Sequence, residues 1–228
     1  MQIVPGELIT KLVGLAEGFA DLLYPPRCCF CGKLLQKGEK GSCRKCYAAL
    51  PLVPSGTARS DIPNVTICVA PLFYEGRVRE ALLRYKFEGV TAYKRTFSEF
   101  VAKCVDENGF SCDSITWVPL SRRRRFRRGY DQARLIAEEL SKKLGVPCVS
   151  LLKKTRNTPP QSSQSSTAER KRNAAGVYRC IDAEKTKNRR ILLIDDIVTT
   201  GATVSECAGM LREAGAAEIY AAAVAMGR

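Results

Sequence analysis

The chain has 228 residues, 45% of them hydrophobic, and a formal net charge of +14; this allows one ordinary core plus a small appendage and favours anionic partners such as nucleic acid, anionic membrane surfaces or phosphorylated small molecules. Histidine is absent, which excludes an imidazole base, a Ser-His-Asp triad and any metal site that uses histidine. No stretch is apolar for long enough to span a bilayer, and Glu7, Glu17 and Asp21 interrupt the apolar N-terminal residues, so no secretory signal is expected and the protein reads as cytoplasmic.

Leu8, Ile9, Leu12, Leu15, Ala16, Phe19 and Leu22 recur at helical spacing and predict an amphipathic helix that Pro25-Pro26 ends. Its polar face is mixed in charge, which favours packing on protein over a membrane surface. The first five of the eleven cysteines then cluster between Cys28 and Cys46. Two Cys-x-x-Cys knuckles, Cys28/Cys31 and Cys43/Cys46, flank a segment with Gly32, Gly38 and Gly41, and four thiolates suit a tetrahedral Zn²⁺. Cys29 is the bystander because its use would break the two-residue spacing, although it can exchange that role with its neighbour. A site closed by four thiolates stabilises a fold and leaves no open position for catalysis. An iron–sulfur centre and plain buried thiols are the competing readings. Cys68, Cys104, Cys148, Cys180 and Cys207 are scattered in mostly apolar contexts and read as small core residues.

Pro51, Pro54, Gly56 and Pro63 predict a linker or irregular crossing. The expected organisation is a helix and zinc ribbon over residues 1–50 and a second domain over residues 60–228. Tyr74 to Gly89 reads as a short amphipathic helix, basic on its exposed side and closed by Gly89. Ile115 to Val118 reads as a strand, Pro119 to Arg128 as a loop, and Asp131 to Leu144 as a helix with Asp131 as N-cap and Gly145 at its end. Such a loop lies at the sheet edge where open α/β folds bind ligands. Its arginines, Arg122, Arg123, Arg124, Arg125, Arg127 and Arg128, suit the oxygens of a diphosphate or of a nucleic-acid backbone. A solvated charged face accounts for most of them, with one or two at a pocket. From Lys153 to Asn173 apolar residues give way to Ser, Gln, Pro and basic residues, which predicts a long loop or β-arm, read either as a lid or as plain disorder.

The run from Ile191 to Thr203 carries the strongest signal. Ile191 to Ile194 read as a buried parallel strand, Asp195 and Asp196 begin the polar residues at its carboxyl end, and Thr199-Thr200-Gly201-Ala202-Thr203 form a turn. Val204, Cys207, Ala208 and Leu211 then repeat at helical spacing up to Gly215. A turn between a strand and a helix N-terminus favours a phosphate through unpaired N–H groups, the helix dipole and the threonine hydroxyls. The two carboxylates would repel that phosphate at contact, but they accept hydrogen bonds from a diol beside it or help hold a hydrated Mg²⁺. Ribose 5-phosphate satisfies both halves.

This run resembles the signature of type I phosphoribosyltransferases, which bind 5-phosphoribosyl 1-diphosphate (PRPP). The resemblance implies that Asp195 and Asp196 hold the ribose hydroxyls as the catalytic pair, and that Thr199, Thr200, Gly201, Ala202 and Thr203 hold the 5-phosphate. The whole order of cysteine ribbon, Tyr74–Gly89 segment, Arg128-Gly-Tyr-Asp-Gln-Ala133, Arg156-x-Thr158, Glu169-Arg170-x-x-Asn173 and final motif resembles the ComF family, linked to DNA uptake during natural competence. That resemblance implies an α/β fold, a mostly parallel phosphoribosyltransferase-like sheet flanked by helices, behind an N-terminal zinc ribbon. It also implies that the loop containing Leu120, Ser121, Arg122 and Arg123 contacts diphosphate, and that the arm from Lys153 to Asn173 is a flexible catalytic loop. Asp131 stands where the family usually has Asn, and Gln164 where an apolar residue is usual. Thr199 replaces the acid that opens the phosphate turn of several purine transferases, so purine salvage is not expected. Two functions follow. One is a Mg²⁺-dependent transfer of phosphoribosyl from PRPP to an acceptor the sequence does not name. The other is a non-catalytic, PRPP-regulated factor that binds single-stranded DNA, with proteins of the competence machinery as further partners.

Overall fold

A computed structural model describes residues 25–155 and 176–228. The expected N-terminal helix and, beyond Thr155, the polar arm expected from Lys153 to Asn173 lie outside the described residues. The chain divides into two compact units, residues 1–49 and 50–228.

In the first unit, Arg27 and Leu34 form an antiparallel bridge. Within it the Gly32 N–H donates to the Cys28 carbonyl, and the Cys28 N–H to the Lys33 carbonyl, each at 2.8 Å. The turn needs a left-handed residue, which Gly32 supplies at φ 74°. The second knuckle opens the short helix α1 (Arg44–Ala48). Glu39 fixes its start, because its two carboxylate oxygens accept the Gln36 and Arg44 N–H groups, each at 2.8 Å.

The second unit runs β1 (Ile67–Val69), β2 (Leu72–Phe73), α2 (Gly76–Phe87), α3 (Tyr93–Glu107), β3 (Ser114–Trp117), α4 (Arg122–Arg128), α5 (Gln132–Leu144), β4 (Leu152–Lys154), β5 (Tyr178–Cys180), α6 (Ala183–Thr186), β6 (Arg190–Val198), α7 (Ala202–Glu213) and β7 (Glu218–Met226). In the five-stranded sheet β7 pairs with β1, β2 and β6, and β3 pairs with β6, all parallel. β4 and β5 make a separate antiparallel pair. Side chains alternate across the sheet. Ile191, Leu193, Ile219, Ala221 and Ala223 share a buried cluster with Val204, Cys207, Ala208 and Leu211 of α7. Leu192 and Ile194 are buried on the other face, where α5 packs on β6 and α3 on β7. The fold is therefore the expected mostly parallel sheet with helices on both faces.

Three local expectations change. The proline-containing segment after Leu50 is no free linker: Leu52 bridges Leu72, Arg59 bridges Cys68, and Ile62 and Val65 enter the core. Proline is tolerated there because an edge needs carbonyls and not every N–H, and the Pro51 carbonyl accepts the Phe73 N–H at 2.8 Å. The arginine run forms a helix and not a loop. Ser121 caps it by accepting the Arg124 N–H, Gly129 ends it at φ 80°, and arginine is itself a good helix former. Finally, β6 does not end at Ile194 but continues through the acid pair to Val198, because β-branched Ile197 and Val198 keep pairing with β7.

Candidate functional site

β3 stops at Trp117, opposite Ile194, and the Val118 N–H makes a last bond to the Ile194 carbonyl at 2.9 Å. On its other side β6 stays paired with β7 as far as Val198. Asp195 and Asp196 thus occupy a stretch of strand that has lost its β3 neighbour, at the carboxyl edge of the sheet. Strand alternation sends them to opposite faces, and each meets a different set of groups.

On the face carrying α3 and α5, the Lys86 ammonium lies 2.9 Å from Asp196 Oδ1, with the two side chains only 18% and 13% exposed. Sequence reasoning missed Lys86, whose only signal was its place in the basic last turn of α2. That turn is clamped by the Arg128-Gly-Tyr-Asp-Gln132 stretch. The Tyr85 hydroxyl donates to the Gln132 carbonyl at 3.0 Å, and the Tyr130 hydroxyl donates to the Tyr85 carbonyl. The Gln132 side-chain amide reaches the Lys86 carbonyl at 3.4 Å. Arg128 stacks over the Phe87 ring at 4.7 Å and donates to Gln132 Oε1 at 2.9 Å.

On the α7 face, burial and the adjacent Asp196 push the Asp195 carboxyl up to about 8, with Lys86 and the Asp196 N–H, which donates to Asp195 Oδ1 at 2.8 Å, opposing. Lys154 and Tyr178 stand in the same electrostatic neighbourhood, joined by a 3.0 Å bond from Lys154 Nζ to the Tyr178 hydroxyl. Burial, helped by Arg124, holds the Lys154 ammonium below the ordinary lysine range. Glu206 of α7 accepts the Val177 N–H at 2.9 Å and so ties the start of β5 to that helix.

The Asp195 shift makes a pH prediction. Its carboxyl rises from an ordinary 3.8 to about 8 on folding, so between those values the folded state binds more protons than the unfolded chain. Stability must fall as pH rises through that window, with a slope of at most ~1.4 kcal/mol per pH unit. Asp195→Asn is expected to flatten the profile and to be the more stable protein at pH 8, read from urea midpoints at pH 5 and pH 8 without ligand.

Asp131 explains its own presence. Its Oδ2 accepts the Leu120 N–H at 3.0 Å and its Oδ1 the Arg134 N–H at 3.3 Å. Asn would offer one acceptor oxygen where two donors wait. Burial raises the Asp131 carboxyl, and those two N–H groups oppose the rise. The same bonds seat Leu120 and buried Ser121 just past the carboxyl end of β3. Arg122 and Arg123 are exposed at the start of α4.

The turn after β6 is held from its back. Arg59 pairs with both Asp61 carboxylate oxygens, at 3.0 and 2.7 Å, and donates to the Thr199 carbonyl at 2.6 Å. Thr200 Oγ1 accepts the Ala202 N–H at 3.4 Å. Gly201 is left-handed at φ 76°, and a Cβ there would fall 2.7 Å from Ile62 Cδ1, so only glycine fits this backbone against that side chain. Thr203 follows in the first turn of α7. The structure therefore brings Asp195, Asp196, Thr199 to Thr203, Leu120 and Ser121 to one sheet edge.

In the first unit the Cys28, Cys31, Cys43 and Cys46 sulfurs all lie within 4.8 Å of one another, and Cys31 and Cys43 are 3.8 Å apart. Metal–sulfur bonds of about 2.3 Å in a tetrahedron place sulfurs about 3.8 Å apart, so the cluster fits one metal ion held by four thiolates. Burial raises the Cys28 thiol, but the N–H groups of Cys43, Cys31 and Phe30 outweigh it and bring the thiol down to about 7. Cys29 is buried outside the group. Cys68 and Cys207 are core residues, while Cys104, Cys148 and Cys180 are half-buried. Burial pushes Cys68 up to about 12 and Cys104 and Cys148 up to about 11, which keeps these thiols inert. No helix among the described residues is long and apolar enough to cross a membrane.

Residues 131–228 match the family model described as the phosphoribosyl transferase domain. The chain is 33% identical to competence protein F of Haemophilus influenzae over 108 residues, covering 47% of each chain. It is 32% identical to competence protein ComFC of Bacillus subtilis over 151 residues, covering 63% of this chain and 57% of that one. The match thus spans about half the length of these relatives. Among solved structures it is similar to the glutamine PRPP amidotransferase of B. subtilis, at 21% identity and a TM-score of 0.43, over 61% of this chain and 30% of that one.

Proposed function

We propose that the chain is a ComF-like, PRPP-binding, Mg²⁺-dependent phosphoribosyltransferase-like protein serving DNA uptake in natural competence, with its ligand on residues 60–228 and a structural Zn²⁺ on residues 1–50. The observation that carries this reading is the placement of the acid pair on β6 beyond the end of β3, next to a glycine-bearing turn that opens α7. Asp195 and Asp196 accept hydrogen bonds from the ribose diol. Thr199, Thr200, Gly201, Ala202 and Thr203 take the 5-phosphate at the α7 N-terminus, where N–H groups and the dipole favour an anion. Leu120 and Ser121 offer backbone groups to the diphosphate, and Arg122 and Arg123 sit where they can turn toward its charge. An all-oxygen carboxylate donor set suits Mg²⁺, which when bound with PRPP neutralises charge on the departing diphosphate. The four-thiolate set without histidine suits Zn²⁺ in a closed, structural role.

Displacement at C1 of the ribose requires charge neutralisation and exclusion of water more than a proton-transfer base, so a chain without histidine is no obstacle. Incubation with PRPP, Mg²⁺ and a panel of bases, amines and single-stranded DNA, with diphosphate release as readout, tests the transfer. Release with one acceptor identifies the substrate. No release with any acceptor favours the second reading, a PRPP-regulated single-stranded DNA-binding factor in a cytoplasmic competence assembly. One observation speaks for it: Phe126 is 93% exposed on α4, among the exposed Arg122, Arg123, Arg125 and Arg127. An exposed ring among guanidinium groups is the pairing that stacks bases and neutralises phosphates.

A further inference from the structure

Lys86 is an unusual lysine. Its ammonium and its partner carboxylate are both largely withdrawn from water, a placement that costs desolvation and persists only with close pairing. The contact is not a chance folding of a surface side chain, because the main chain beneath it is fixed by Tyr85, Tyr130, Gln132 and Arg128. Three carboxylates, Asp131, Asp195 and Asp196, influence one another here. Asp131 is occupied by two backbone N–H groups. The Asp195–Asp196 pair is therefore where a further cation has most to offer.

We propose that the Lys86 ammonium is the resident counter-cation of the acid pair, holding Asp196 while the ligand is absent and giving way only to the divalent cation that arrives with the ligand. This rests on the proposed reading of the pair as the Mg²⁺-PRPP site. A lysine suits exchange better than an arginine would: it is a compact point charge on a four-carbon stem, able to swing away by rotamer change while its main chain stays clamped. A hard divalent cation seeks the same carboxylate oxygens. The self-neutralised pair thereby keeps the empty site folded and makes metal binding conditional on ligand. Lys86 acts on the ligand through Asp196, which makes it a positioning residue.

The test is thermal unfolding of the full chain with and without MnCl₂, in the absence of PRPP. Lys86→Met is expected to melt lower than wild type and to regain at least half of the loss on adding millimolar Mn²⁺, because a cation that binds only the folded state stabilises it. Wild type should respond little. Lys86→Met combined with Asp196→Asn should lose the Mn²⁺ response, and Lys86→Arg should keep wild-type behaviour. Should Lys86→Met not fold, Lys86→Gln, similar in size but uncharged, is read in the same assay. A Lys86 variant whose melting Mn²⁺ leaves unchanged, or a wild type that responds as strongly, overturns the proposal. Failure of wild type to bind PRPP in a separate titration would instead overturn the phosphoribosyl reading.

Discussion

Asp195→Asn combined with Asp196→Asn is expected to lower PRPP affinity by about 10²–10⁴-fold while leaving the circular dichroism spectrum unchanged. Each aspartate is assigned a hydrogen bond from a ribose hydroxyl to an ionised or partly ionised acceptor, worth ~1.5–3 kcal/mol. Two such bonds amount to ~3–6 kcal/mol, which is the stated range of affinity. The fold should survive because β6 is held by main-chain pairing with β7 and by apolar side chains upstream. Asn also keeps the size of Asp, and the Asp195 carboxyl is already strained by burial. Diphosphate alone, which lacks the diol, should lose much less affinity than PRPP. Calorimetric titration of both ligands reads the difference, and an unchanged PRPP affinity would remove the acid pair from the site.

The second large effect concerns the four cysteines. Among the described residues of the first unit the buried hydrophobic side chains are Cys28, Cys29, Phe30 and Cys46, two of which, Cys28 and Cys46, belong to the four-cysteine group. A structural zinc contributes roughly 10–16 kcal/mol in small zinc-folded peptides, so the proposed Zn²⁺ is expected to supply much of what holds residues 25–49 in place. Cys31→Ser is expected to abolish stoichiometric zinc and to leave residues 25–49 with unprotected amides in hydrogen exchange. The described residues 50–155 and 176–228 should keep their own protection, since they hold a separate core. Elemental analysis that finds iron in place of zinc, or no metal in the wild-type chain, would overturn the assignment.

Much of the architecture around the site was legible because local signals agreed. Asp131 and Gly145 bracket α5 as cap and terminator, and Ile191 to Ile194 announce the buried strand. The central strand β7 was not legible. Its Ala221, Ala222, Ala223 and Ala225 are helix formers by propensity, yet β7 lies between β1 and β6, with α3 and α7 both packed on it; tertiary context overrides propensity there. α3 lacked a start signal, since Ala92 precedes it without a side-chain cap. The arginine run read as a loop because a nearly unbroken charged stretch lacks an apolar period, while its helix signals are confined to the caps Ser121 and Gly129. In the candidate site, the threonine-rich turn and acid pair were contiguous and visible. The Lys86–Asp196 contact joins residues far apart in the chain and exists only once α2 meets the sheet edge. Asp131 read as a departure from the pattern the sequence resembles, but its reason, two waiting N–H groups, is a fact of geometry.

The most direct measurement is calorimetric titration of the wild-type chain with PRPP in the presence of Mg²⁺. Saturable binding at one site per chain, weakened when Mg²⁺ is chelated, is expected. Absence of binding at millimolar PRPP, with Mg²⁺ present and the four-cysteine unit intact, would contradict the phosphoribosyl reading.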